Sequence, residues 1–223
     1  MKLFIILTIG LLSAGLAMGL LTWVSRLPSA RKFLISVDAN RNASDAQMTR
    51  AVIVSGLVSL SLVGLLFGIR NYLFHERPTS FALMLFEGMA VIFIYDFAYY
   101  FMHRYLFHEW PVLRGVHSLH HAAHHPRAID SSLIHPVENF LGLTLLLASI
   151  ASVGGIHIFT FAPIFVGYTT LNVFNHAGLN IPHFPLKTLG KLAVVHDKHH
   201  HNMLSGNYAS ITPIPDLIFG TLE

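Results

Sequence analysis

The chain alternates between long apolar runs and short polar stretches rich in basic residues and histidine. Leu3 to Val24 form an uncharged apolar run closed by Ser25-Arg26. A helix of about 20 such residues crosses a bilayer core. Lys2 and the small residues around Gly15-Leu16-Ala17 also fit a cleaved signal peptide, but the apolar stretch is long for one, which favours an uncleaved anchor. Residues 26–50 are polar, with Arg26, Arg31, Lys32, Arg41 and Arg50. A second span is predicted from Ala51 to Ile69, ending at Arg70, then a loop from Asn71 to Ser80 containing Pro78. A third span is predicted from Phe81 to about Met102. Glu87 and Asp96 within it are costly in lipid and so are expected to face protein. The apolar stretch from Phe140 to Phe174 is too long for one span. Gly154-Gly155 near its middle predicts a hairpin of two short spans.

The expected fold is therefore all-α: an integral membrane protein with four to five membrane-embedded helical segments and a helical, histidine-rich cap. Residues 1–80 form an N-terminal anchor region with two transmembrane helices, and 81–223 form the domain that carries the histidines. The hairpin returns the chain to its starting side, so the histidine-rich segment 103–135 and the polar tail after His176 share one face of the membrane. The loop 26–50 lies on that face too, and its five basic residues place it in the cytoplasm by the positive-inside rule.

Composition sharpens this picture. Charged residues make up 11% of the 223 and hydrophobic ones 53%, whereas a soluble domain carries about 25% charged residues. There is no cysteine, which excludes disulfides, zinc–thiolate sites, iron–sulfur clusters and thiol catalysis. The net charge of +3 comes from basic residues flanking apolar runs, not from a dense stripe, so membrane orientation explains it better than nucleic acid does. Histidine is the anomaly. There are 16, most of them in two short windows at 103–125 and 196–201. Imidazole is the commonest metal ligand.

Three boxes stand out: His103-Arg104-Tyr105-Leu106-Phe107-His108, His117-Ser118-Leu119-His120-His121 and His196-Asp197-Lys198-His199-His200. On a helix, residues i, i+3 and i+4 share a face, so each of the last two boxes is expected to offer three imidazoles to one point. His103 and His108 are five apart, which does not align on an ideal helix. The helix is expected to end or distort between them. Eight imidazoles are too many for one ion and suit two ions of five or six ligands. Imidazole accepts Fe, Zn, Cu and Ni alike, so ligand type does not choose the metal.

Taken with their neighbours, these boxes resemble the fatty acid hydroxylase/sterol desaturase superfamily over roughly residues 85 to 222. Asp96 through Tyr100 to His103-Arg104 is similar to the family's first box. His117 to His121 is similar to the second and His196 to His200 to the third. His135-Pro136-Val137-Glu138 resembles the family's His-Pro-x-Glu, and Asn175-His176-Ala177-Gly178 its lone histidine after the last span. Asn207-Tyr208 and Asp216-Leu217-Ile218-Phe219-Gly220-Thr221 resemble its closing motifs. Pro215 stands where Trp is usual and Gly178 where Asn is common. The resemblance implies a di-iron centre, two ions per chain, for which zinc can substitute on purification. It implies His103, His108, His117, His120, His121, His176, His196, His199 and His200 as ligands. It also implies O2-dependent hydroxylation, desaturation or another oxidation of a membrane lipid, with electrons from an external reductase.

Asp96, Tyr100 and His103 lie at i, i+4 and i+7, on one face. Asp96, Tyr100 and Glu138 are the candidate catalytic groups, Asp96 as an acceptor for a ligating imidazole. Asp197 is a weaker candidate of the same kind. His124, His125, His135 and His201 fall outside the ligand positions, and His75, His157 and His183 are isolated. Asn172 and Asn175, at the end of a span, are expected to hydrogen-bond near the site. The aromatic set around Phe97–Phe107 reads as packing or interfacial anchoring. The rival from another class is a metal transporter, or a metal-binding membrane protein without redox chemistry. Such proteins hold their ligands at the membrane midplane, whereas these boxes flank the spans. A haem protein would place paired histidines inside facing spans.

Overall fold

The computed structural model describes residues 1–38 and 40–223. Its helices are α1 (Lys2–Ser25), α2 (Asp45–Leu73), α3 (Phe81–Phe101), α4 (Pro111–His117), α5 (Pro136–Ser152), α6 (Ile158–Asn175), α7 (Lys187–His201) and α8 (Ile214–Phe219). α1, α2, α6 and α3 with its continuation to Glu109 are long and apolar enough to cross a membrane, and α5 is a shorter apolar helix. The predicted spans are present. α2 begins before its apolar run because Ser44 and Gln47 form a reciprocal cap: Gln47 N–H donates to Ser44 Oγ at 3.2 Å and Ser44 N–H to Gln47 Oε1 at 2.9 Å.

α1 packs along α6, and α2 along α5. Gly10 makes the first approach close, since a Cβ there would lie 2.5 Å from the Phe165 ring. The second is held by Asn139, whose amide donates to Ser55 O and Ser59 Oγ, both at 2.9 Å. Leu3, Leu66, Val91, Tyr95, Leu146, Ile150 and Phe161 form the shared core, so helices from before and after residue 81 enter one packed body. Outward, Leu12, Leu57, Leu60, Phe86 and Phe93 are exposed, as a lipid-facing surface requires.

Gly154 and Gly155 turn the α5–α6 hairpin with φ of +81° and +85°, a backbone open mainly to glycine. A Cβ on Gly155 would also come within 3.1 Å of the Tyr72 and Leu73 carbonyls. At that end of the bundle Phe74–His75 pairs in parallel with Ile156–His157. At the other end Asn40–Arg41 pairs with Ala123–His124, and Leu34 bridges Leu179. The basic loop thus lies against the segments that carry the histidine boxes. Those segments, with α4, α7, α8 and the tail, form the cap.

Candidate metal centre

The helix neither stops at His103 nor continues unchanged. Met102–Glu109 is π-helical, closed by the Trp110 N–H donating to Tyr105 O at 3.0 Å, five residues back. The wider turn brings residues five apart onto one side, and both His103 and His108 face inward. His117 ends α4, His120 and His121 sit on the 3₁₀ turn that follows, His176 caps α6, and His196, His199 and His200 lie on α7.

These nine rings form two sets. One holds His103, His108, His117, His121 and His199. The other holds His120, His176, His196 and His200. In each, one nitrogen per ring lies within 4.8 Å of all the others. The expectation that each H-x-x-H-H box serves one point is therefore wrong. His117 and His121 go to the first set and His120 to the second; His199 goes to the first and His196 and His200 to the second. For His196, His199 and His200, which all lie on α7, the reason is angular. At about 100° per residue, i and i+4 diverge by only about 40°, but i+3 and i+4 diverge by a full 100°.

Backbone carbonyls set the tautomers. The Nδ1–H of His103 donates to Tyr208 O at 2.7 Å, and that of His108 to Met203 O at 2.9 Å. His120 donates to Leu133 O at 3.1 Å, His176 to Asn172 O at 2.7 Å, His199 to Gly206 O at 2.7 Å and His200 to Ala123 O at 3.0 Å. A carbonyl only accepts, so Nδ1 carries the proton and Nε2 presents a lone pair. His117 Nδ1 lies 3.0 Å from Glu138 Oε1, close but outside good hydrogen-bond alignment. Burial holds the rings neutral. It pushes His117 and His120 down to about 3 and His176 to about 4, from an ordinary 6.5, and lowers His121, His196, His199 and His200 strongly.

The Nε2 atoms nevertheless crowd together. His103 is 3.0 Å from His117, 3.2 Å from His108 and 3.1 Å from His199. His121 is 3.1 Å from His199. In the second set His176 is 3.2 Å from His120 and 3.0 Å from His196, which is 3.1 Å from His200. Where carbonyls fix both tautomers, as for His103 with His108 and His199 and for His176 with His120, two lone pairs face each other at that distance and repel unless a cation lies between them. With a metal–nitrogen bond of about 2.1 Å, neighbouring ligands sit about 3.0 Å apart on an octahedron or square pyramid and about 3.4 Å apart on a tetrahedron. The observed spacing fits the former, and the donor set suits a first-row transition metal.

Asp96 is not beside a ring. It accepts N–H groups from Ser210, Ile211 and Thr212 at 3.2, 2.9 and 3.0 Å and the Thr212 hydroxyl at 2.6 Å. Its face of α3 meets the tail, not the imidazoles. Tyr100 OH accepts from Arg104 at 2.7 Å and lies 3.1 Å from Thr221 Oγ1, with its ring stacked on Phe219. Asp197 accepts from His125 Nδ1 at 2.9 Å. His135 and His157 cap α5 and α6, and His75 lies 3.5 Å from Glu87. Asn172 supplies the carbonyl under His176, and Asn175 donates to Ser210 O at 3.1 Å.

The closing motifs have a role that the sequence did not disclose. Asp216, fully buried, accepts the Tyr208 and Ala209 N–H groups, each at 2.8 Å, and the Thr221 hydroxyl at 2.8 Å. Asn207, at φ +63°, donates to Val195 O and accepts from Glu223 N–H. Together they fix the carbonyls that hold His103 and His199. Their signal in the sequence was the Asn-Tyr and Asp-x-x-Phe-Gly-Thr pattern. Gly178 has φ +63° and would drive a Cβ into the Pro126 carbonyl, which accounts for glycine there. Pro215 occupies the first turn of α8, where a missing N–H costs nothing.

Residues 88–221, more than half of the chain, match the family model described as fatty acid hydroxylase. The chain is 34% identical over 131 residues to a very-long-chain aldehyde decarbonylase of Oryza sativa subsp. indica, covering 56% of this chain and 48% of that protein. It is 33% identical over 140 residues to methylsterol monooxygenase 1 of Rattus norvegicus (60% and 45%). To methylsterol monooxygenase 2-2 of Arabidopsis thaliana it is 35% identical over 136 residues (57% and 49%). It thus spans about half the length of these relatives. No solved structure matches it significantly. The boxes, their order and the matched region make this chain a member of the fatty acid hydroxylase family, within the fatty acid hydroxylase/sterol desaturase superfamily.

Proposed function

We propose that this chain is a membrane-bound, O2-dependent oxidoreductase that holds two iron ions, one in each histidine set, and hydroxylates or desaturates a lipid. The observation that carries the reading is the convergence of nine buried or half-buried imidazoles on two points. Iron bound there supplies the redox chemistry that oxidation of an unactivated C–H bond demands and that side chains lack. The names of the relatives, a decarbonylase of very-long-chain aldehydes and monooxygenases of methylsterols, support a lipid substrate.

The protein's own part is to hold, orient and dry the site. His103, His108, His117, His121 and His199 hold one ion, and His120, His176, His196 and His200 the other. Glu138 positions His117, while Asp96 and Tyr100 position the tail whose carbonyls orient the rings. Phe107 stacks on His117 at 5.2 Å and is fully buried, so the first set faces an apolar wall that excludes water. Electrons come from an external reductase. The cap lies in the cytoplasm, because the loop with Arg26, Arg31, Lys32, Arg41 and Arg50 packs on the same end as the boxes. A transporter reading is weaker, since its ligands belong at the midplane. The deciding experiment compares lipids by mass spectrometry in cells expressing the wild type and the His199→Ala variant. An oxidised lipid that depends on His199 is expected. Identical lipid profiles with iron fully loaded would sink the enzymatic reading.

A further inference from the structure

Between α3, α5 and α6, below the cap, lies an apolar cleft of about 270 Å³. α6 contributes a stripe at Pro163, Gly167, Leu171 and Phe174, four or three residues apart and hence on one face. Pro163 and Gly167 are exposed and Leu171 and Phe174 half-buried, so this wall opens sideways on a membrane-spanning helix. Thr170 turns its hydroxyl back onto Val166 O at 2.6 Å, leaving its methyl for the cleft. At the inner end stands Ile211. It also lines a small void of about 20 Å³ whose wall includes His196, a member of the second histidine set, and it is the residue common to the two cavities. Asp96 holds the backbone N–H of Ile211 at 2.9 Å, which fixes this partition.

We propose that the cleft is the substrate's hydrocarbon site. A single unbranched lipid chain enters it sideways from the bilayer along the α6 stripe, and Ile211 separates its inner end from His196. The shape argues for a chain over a fused-ring nucleus, because the lining from Pro163 to Phe174 runs about 16 Å along α6 at ~1.5 Å per residue, long for a volume of about 270 Å³. Apolar walls inside a lipid-exposed bundle exclude a charged ligand. Gly167 lines the cleft, and a Cβ added there meets nothing within 4 Å, so a larger side chain can be built into this wall without a clash. The inference rests on the reading of the histidine sets as an oxidising centre, but its test is independent of turnover.

The probe is a fatty acid with a diazirine near the end of its chain, added to metal-loaded protein in lipid nanodiscs, with labelled peptides read by mass spectrometry. Labels are expected on 163–174 and at Ile211. Gly167→Trp should reduce them at least ten-fold, and Gly167→Leu less, with metal content at the wild-type level. Ile211→Ala should extend labelling to the peptide carrying His196. Leu60→Phe, on the outer face of α2, should change nothing. Labelling spread over the lipid-facing surfaces, or unaltered by Gly167→Trp in fully metal-loaded protein, would overturn the inference. Wild-type protein without metal would refute the oxidising-centre reading instead, and the two failures are thereby told apart.

Discussion

Replacing Asp96 by alanine removes the acceptor for three backbone N–H groups and one hydroxyl, in a side chain only 2% exposed. A hydrogen bond to a charged acceptor contributes about 1.5–3 kcal/mol, and a buried donor left unpaired costs about 1–3 kcal/mol. Water entering the vacated space recovers part of this, so the net loss is about 3–5 kcal/mol, large for a single substitution. Asp96→Asn keeps one acceptor oxygen and should lose about half as much. The damage should not stay local. The loop bound by Asp96 continues into Tyr208 and Gly206, whose carbonyls hold His103 and His199. Loss of such an orienting contact weakens metal binding about 10–100-fold. Thermal melting in detergent and chelator competition measure the two effects. Asp96→Ala protein that melts like the wild type and gives up metal no faster would refute the reasoning and leave Asp96 a packing residue.

Other consequences are as direct. Because the boxes are split, His199→Ala should deplete the first set and His120→Ala the second, each leaving about half the metal, while His183→Ala leaves all of it; elemental analysis of the three variants decides this, and equal depletion of both sets by either change would contradict it. The metal-free protein should lose stability as pH falls. His117, His120 and His176 stay neutral in the fold down to about 3–4, whereas the unfolded chain takes up protons from about 6.5 downward. The unfolded state then binds more protons, so their contribution is complete above about 6.5 and declines below it, by up to ~1.4 kcal/mol per pH unit per ring. A melting temperature flat between pH 7.5 and 5 would contradict this. The chain has no cysteine, so single cysteines can report topology: Ser118→Cys and Asn202→Cys should react from one side of the membrane and Arg77→Cys from the other. Labelling of Ser118→Cys and Asn202→Cys from opposite sides would break the shared cap.

The membrane helices were legible because lipid demands long uninterrupted apolar runs, and the α5–α6 turn because Gly154-Gly155 interrupts one. The candidate ligands were legible as letters, but their grouping was not. Sharing a helix face was too coarse a criterion to separate His199 from His200, which point 100° apart. The π-helical turn at Met102–Glu109 carries no composition signal, although the spacing of His103 and His108 required some distortion. Backbone carbonyls orient six of the rings, and a carbonyl has no letter of its own. Asp96 was read toward the imidazoles on its own helix because the sequence cannot show that the tail, more than 100 residues later, folds back onto it. The pairing of His75 and His157 at the far end of the bundle escaped for the same reason.

The central claim is that nine imidazoles hold two metal ions. Protein purified without oxygen, analysed for metal per chain and by iron-edge X-ray absorption, tests it most directly. Two ions per chain with nitrogen ligands at about 2.1 Å are expected. One ion or none, in folded protein, would contradict it.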